Sequence, residues 1–300
     1  MEEKAMTEKY KVPDSKKIRV IIDTDAACEA DDQYAIAHAL MTQKFIVKGI
    51  TAEHFGTEFE GKSEQKSYEE IKRVLHLMER EEIPVFHGKP QAISGKDEIS
   101  DVEAVDHIIN EAKTDSKYPL FVFCQGAVTN VACALIKAPE IASRMTVISI
   151  IGAPYPNGGW EFNLTNDWQA ANVLFASGVE LWQVPMNCYA KMRVSYAELQ
   201  EKVRPCGEIG KYLFNEMQEY GNSERGNWCM GESWSLGDSP VVGLALDECI
   251  GEYEERNAPI CDEGGNYVGS SDHKIRVYQR VDSRFILEDM FAKLSIFYRK

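Results

Sequence analysis

The sequence predicts an α/β protein: an open, mostly parallel β-sheet with helices on both faces and a largely helical C-terminal part. Three observations lead there. Apolar runs of strand length alternate with helix-length amphipathic segments. Strands separated by such helices form right-handed crossovers in one sheet covered on both sides. Polar residues collect where the apolar runs end, as expected of a sheet that binds its ligand beyond the carboxyl ends of its strands. Finally, no internal repeat and no Pro-, Gly- or Ser-rich linker divides the 300 residues, so residues 16–300 read as a single domain behind a polar, loosely held lead-in over 1–15.

The elements follow in order. "KIRVIID" (17–23) is a buried strand and "DQYAIAHALMTQ" (32–43) a helix; "FIVKGITAE" (45–53) is a strand and "SYEEIKRVLHLMERE" (67–81) an amphipathic helix. "IPVFHG" is a short strand, "DVEAVDHIINEAK" (101–113) a helix and "YPLFVFCQG" (118–126) a strand. "TNVACALIKAP" is a helix, "RMTVISIIG" (144–152) a strand, "NDWQAANVLFASG" a helix and "VELWQVPMN" (179–187) a strand. Beyond 195 the pattern turns mostly helical, with a polar loop around 251–274 and a closing helix, "SRFILEDMFAKLSIF".

Composition excludes several classes. The formal net charge of −15 and the lack of a Lys/Arg cluster oppose binding to a phosphate backbone. No apolar run is long enough to span a bilayer, and the polar start "MEEKAMTEKYKVPDSKK" has no export signal. Eight cysteines without a C-x-x-C pair suit reduced thiols of a cytosolic protein.

The chemistry concentrates in "RVIIDTDAACEADDQYAIAHAL", where Asp23, Asp25, Asp31 and Asp32 crowd into ten residues beside two apolar elements. Asp31 can cap the helix that follows. The others need a different reason, because carboxylates held close together raise one another's pKa or demand a cation. Asp25 and Asp32 therefore point to a hard, oxygen-ligated ion such as Ca²⁺ or Mg²⁺. Downstream, Asp238 precedes Ser239-Pro240 and an apolar helix, and serves either as a cap or as a further ligand. In "GGWEFNLTND", Glu161 and Asn163 stand two apart, on one side of an extended chain, which suits sugar hydroxyls as well as it suits a plain polar loop. Gln125 ends another strand, and Glu53 and His54 end the second.

These pieces, taken in order, resemble the nucleoside hydrolase family of the inosine–uridine-preferring type. "DTDAACEADDQYAIA" is similar to its opening D-x-D-x-x-x-D-D, with two extra residues before the Asp31-Asp32 pair. "QGAVTNVACAL", "EFN" (161–163), "GDSPVVGLAL" and "RVDSRFILEDMFAKL" match its later markers. The resemblance implies a homodimer or homotetramer that splits ribonucleosides into ribose and free base. It implies Ca²⁺ on Asp25, Asp32, Asp238 and the carbonyl of Gln125, with Asp25 also the general base. Asp31, Glu161, Asn163 and Asn157 would then hold the ribose, and Asp23 would brace the loop.

The sequence departs from that pattern where a histidine often precedes the late aspartate to protonate the leaving base; here the residue is Gly237. His54 is the candidate acid in its place. Trp160, Trp228 and Trp234 are candidates to stack on the base. Two rival readings accompany this one. "IIDTD" and "LGDSP" are similar to motifs of haloacid dehalogenase-type phosphatases, although the second acid of that late motif would fall on Val242. A catalytically silent nucleoside- or ribose-binding protein is the other.

Overall fold

A computed structural model of the chain describes residues 10–57 and 61–298. Most of the expected lead-in therefore lies outside the described residues. Its last part is held rather than loose: the carboxylate of Asp14 accepts from the hydroxyl of Tyr118 (2.8 Å) and the ammonium of Lys117 (2.5 Å).

The sheet has eight strands: β1 (Ile18–Thr24), β2 (Phe45–Ala52), β3 (Val85–Phe86), β4 (Leu120–Cys124), β5 (Met145–Ile150), β6 (Glu180–Val184), β9 (Gly251–Cys261) and β10 (Tyr267–Val281). They lie in the order β3-β2-β1-β4-β5-β6-β10-β9. All neighbours are parallel except β9, which pairs antiparallel with β10 at one edge. Successive side chains of a strand point to opposite faces, and β1 shows the result. Val20 and Ile22 join one buried cluster with the helices Asp32–Met41, Ser63–Leu77 and Ser283–Tyr298. Ile21 joins the other, with the helices Glu103–Lys113, Thr129–Lys137 and Trp168–Ala176. The helix Asp32–Met41 is buried along its whole length, so its polar start is buried too.

The strand order places the functional rim. From β1 the chain steps to β2 and β3 on one side, then returns to β4 and continues through β5 and β6 on the other. The loops after β1 and β4 therefore diverge and leave a crevice between them, the switch point at which open α/β sheets bind ligands. The segments leaving these two strands carry Asp25 and Gln125.

The largest departure from expectation is at 251–274. The polar loop is instead the long β9–β10 hairpin. The start of β9, "GEYEE", is exposed at the sheet edge, so no apolar alternation marks it; backbone pairing to β10 makes it a strand. Met186 and Asn187 open a short helix, Met186–Tyr189, rather than ending β6. A small antiparallel pair, β7 (Arg193–Ser195) with β8 (Ser233–Ser235), leads directly into Gly237-Asp238. All eight cysteines are free and six are buried. No helix among the described residues is long and apolar enough to cross a membrane.

Candidate active site

A cavity of about 70 Å³ opens at the switch point, lined among others by Asp25, Asp31, Asp32, Gln125, Glu161, Asn163 and Asp238. Seven of the residues expected from the sequence thus converge from five separated segments. Asp25 follows β1 directly. Asp31 and Asp32 stand at the start of the next helix, and neither caps it through its side chain. The Asp32 carboxylate instead accepts the hydroxyl of Thr24, the last residue of β1, which locks the helix start to the strand end. Asp238 begins the helix Ser239–Leu246, and it too makes no capping bond. With the capping reading removed, these three carboxylates point at the cavity.

Oxygen atoms of Asp31, Asp32 and Asp238 lie within 4.8 Å of one another, near enough to hold one ion. Asp25 lines the same space, and its Oδ2 is buried with no partner, as are both side-chain polar atoms of Gln125. Buried carboxylates without partners are costly. Burial pushes the whole group up, and repulsion from neighbouring carboxylates adds to it for Asp25, Asp32 and Asp238. Asp32 rises to about 8, repelled by Asp31, and Asp31 to about 6, held back by the backbone N–H groups of Gly237 and Asp238. Asp25 and Asp238 rise well above the usual carboxylate range for the same reasons. A divalent cation bound there satisfies the orphaned oxygens and reverses the repulsion, and the all-oxygen donor set suits a hard ion. Gly126 completes the fit: a Cβ at that position would sit 2.7 Å from Cγ of Asp25, so only glycine leaves the carboxylate where it is.

The opposite wall comes from "EFN". Glu161 is the N-cap of the helix Phe162–Asn166. Its carboxylate accepts the N–H of Gly152 (2.8 Å) and Leu164 (3.0 Å) and the hydroxyl of Tyr189 (2.8 Å). Asn163 donates to the carbonyl of Ile150 (2.8 Å). Both side chains are thereby fixed while still facing the cavity.

Asp23 stands apart as a brace. It accepts from the Thr51 hydroxyl (2.6 Å) and the Asn130 amide (2.9 Å). Asn130 also donates to the carbonyl of Ala52 (2.9 Å) and accepts the N–H of Lys89 (2.9 Å). The "TN" of "QGAVTN" thus ties β1, β2 and the segment after β3 together behind the site.

Three expectations are corrected. His54 does not line the cavity: it is fully buried, with Nε2 on the hydroxyl of Thr129 (2.8 Å) and Nδ1 accepting the N–H of Gly56 (3.2 Å). Burial holds its ring down to about 4, so it stays neutral. Asn157 is exposed, and its backbone carbonyl accepts the N–H of Tyr267 (2.8 Å). Trp234 is a core residue, fully buried and packed edge-on against Tyr220 and Trp228.

A second cavity, about 630 Å³, opens outward from the first and shares Cys28, Glu29, Asp31, Phe162, Tyr189 and Gly237 with it. Trp160, Tyr220, Trp228 and Arg225 also line it. Of the three tryptophans singled out in the sequence, Trp160 and Trp228 line this cavity and Trp234 does not. Tyr189, Tyr220 and Arg225 went unrecognised in the sequence, since nothing local distinguishes them from surface residues of helices and turns. Gly237 sits at the junction, where a Cβ would come within 3.1 Å of the Tyr189 ring and 3.3 Å of the Asp31 carboxylate. At the position where a histidine often stands, a side chain would crowd Tyr189 and Asp31.

Comparison with known proteins agrees with this site. The family profile described as inosine-uridine preferring nucleoside hydrolase matches residues 20–288. The chain is 25% identical over 235 residues to a pyrimidine-specific ribonucleoside hydrolase, RihA, of Salmonella paratyphi A, covering 69% of this chain and 73% of that one. Its fold is similar to that of a purine-preferring ribonucleoside hydrolase from Gardnerella vaginalis (TM-score 0.75, 20% identity, 93% of this chain and 98% of that one). An inosine-guanosine nucleoside hydrolase is similar in fold as well (TM-score 0.73, 18% identity, 92% and 98%). The phosphatase reading fails against this match, and Val242, where its second acid would fall, is buried in a helix. The chain belongs to the inosine-uridine preferring nucleoside hydrolase family, enzymes that hydrolyse the N-glycosidic bond of ribonucleosides.

Proposed function

We propose that this protein is a Ca²⁺-dependent ribonucleoside hydrolase in which the inner cavity takes the ribose and the outer cavity the leaving base. The observation that carries the reading is the convergence of four buried carboxylates, Asp25 among them with an unpartnered oxygen, with a fixed Glu161–Asn163 wall at the switch point of the sheet. Asp25, Asp32, Asp238 and the carbonyl of Gln125 would hold the ion, and the geometry adds Asp31 to the groups within reach. When bound, such a cation makes a neighbouring water more acidic.

The protein's own groups do the rest. Asp25, with a free buried oxygen, takes the proton of the attacking water. Asp31, Glu161 and Asn163 hold the ribose hydroxyls, and Tyr189 and the backbone N–H groups of Gly152, Asn163 and Leu164 keep the Glu161 carboxylate in place. As the C1′–N bond stretches, positive charge develops on the sugar. The surrounding carboxylates stabilise that charge in a site already arranged for it.

The test is release of reducing sugar from inosine, adenosine, guanosine, uridine and cytidine, with Ca²⁺, with chelator, and with Asp25→Asn. Release that vanishes in both controls is the expected result. No release from any nucleoside under any condition overturns the reading in favour of a silent binder.

A further inference from the structure

In the outer cavity the departing base meets aromatic rings and one guanidinium. Arg225 lies on the turn Glu224–Gly226, half-buried, with its guanidinium over the rings of Tyr220 (5.4 Å) and Phe55 (5.9 Å). It lines the outer cavity together with Glu29 and Gly237, which also line the ribose pocket. The turn that carries it is constrained, because a Cβ at Gly226 would come within 2.2 Å of the carbonyl of Tyr220. The other cation on this wall, Arg193, is exposed at the rim and donates to Ser233 (2.5 Å). No histidine lines the cavity among the described residues.

From this arrangement, and resting on the hydrolase reading above, we infer that Arg225 stabilises the leaving base and selects bases bearing a carbonyl oxygen. When the C1′–N bond breaks, its electron pair stays on the base nitrogen. The water oxygen bonds to C1′, the water proton goes to Asp25, and the base leaves as an anion that takes its proton from solvent. In hypoxanthine, guanine or uracil that negative charge spreads onto an exocyclic oxygen. A guanidinium is a permanent cation with donors only, so it binds that oxygen by a charge-assisted hydrogen bond that strengthens as the charge grows. It offers nothing to the exocyclic amino group of adenine, which is itself a donor. Its contact with the Tyr220 ring limits the side chain's freedom before the base arrives and so reduces what is lost on binding.

The experiment compares wild-type protein with Arg225→Gln and Arg225→Lys on inosine, adenosine and p-nitrophenyl riboside. The last has an activated leaving group that needs no help. Arg225→Gln is expected to lower kcat/KM on inosine by roughly 100-fold or more, the scale of losing one donor to a developing anion. Its effect on p-nitrophenyl riboside is expected to be far smaller, and the wild-type preference for inosine over adenosine, roughly 10- to 100-fold, to collapse. Arg225→Lys keeps the charge but not the fork and is expected to fall between. An equal loss on all three substrates, or no loss on inosine, overturns the assignment. Wild-type protein that cleaves p-nitrophenyl riboside but no nucleoside overturns it too, while leaving the hydrolase reading in place. Wild-type protein inert to every substrate overturns both.

Discussion

Individual residues in this site are defined by what their neighbours leave open. Asp25 has one unpartnered buried oxygen, and its carboxylate fits where it is because Gly126 presents no Cβ to it. Asp25→Asn should cost roughly 10²- to 10⁴-fold in kcat, the range for removing a general base, with the fold intact by circular dichroism. Gly126→Ala should lower activity by about 100-fold, since small misplacement of a reacting group is costly, and destabilise by about 1–3 kcal/mol through overpacking. Unchanged kinetics in Gly126→Ala would show that the carboxylate can move without consequence. The place of Asp31 in the ion's shell is also open to measurement. If it is a ligand, as its approach to Asp32 and Asp238 suggests, Asp31→Asn should weaken Ca²⁺ binding by calorimetry as Asp32→Asn does. A loss confined to KM would return it to sugar binding alone.

At the scale of elements, the site depends on strand ends being held in register. Asn130 connects the carboxylate of Asp23, the carbonyl of Ala52 and the N–H of Lys89. Asn130→Ala removes all three hydrogen bonds, each contributing about 0.5–1.5 kcal/mol, and leaves Oδ1 of Asp23 to the Thr51 hydroxyl. Urea unfolding should show a lower midpoint, corresponding to at least one such bond in free energy, and activity should fall with it, although Asn130 does not line the cavity. A variant as stable as wild type would mean that the brace is redundant. The β7–β8 pair has a similar role, since it buries Trp234 and delivers Gly237 and Asp238 to the rim. A tryptophan that looked like a base-stacking residue is instead the anchor of the strand that positions a carboxylate.

For the whole molecule, stability depends on pH and on metal through groups on different parts of the fold. His38 lies away from the site, fully buried, with Nε2 2.6 Å from the Asp289 carboxylate. Burial outweighs that partner and lowers its pKa from 6.5 to about 4. The unfolded chain therefore binds more protons than the folded one between these values. The contribution is fully present above pH 6.5 and is lost as pH falls toward 4, amounting to about 3 kcal/mol at most. Asp289, held below its ordinary value of 3.8, adds its own loss only below that window. The crowded carboxylates of the site act in the opposite sense, because their raised values favour the protonated fold as pH drops. The histidine term is isolated by the difference between wild type and His38→Gln in urea unfolding from pH 4 to 7. A constant difference across that range would exclude the term. Near neutral pH, Ca²⁺ should raise Tm by relieving the repulsion and binding only the folded state, and Asp32→Asn should blunt the gain.

The sequence by itself determined the parallel α/β architecture, the chemistry at the end of β1 and the order of the markers that follow it. These features are local: an apolar run, a cluster of like charges that needs a reason, and a helix start are all read within a few residues. Tertiary structure decided what depends on which way a side chain faces and what lies across from it. His54 and Asn157 sit in loops beside the site yet turn away from it, one into the interior and the other to solvent. Trp234 and Trp228 are six residues apart; one is core and the other lines the cavity. The β9–β10 hairpin escaped notice because much of its exposed edge is polar on both faces and is held by backbone bonds that any side chain permits. Arg225 reaches the outer cavity only because the turn that follows a long helix brings it there, and no spacing along the chain encodes that approach.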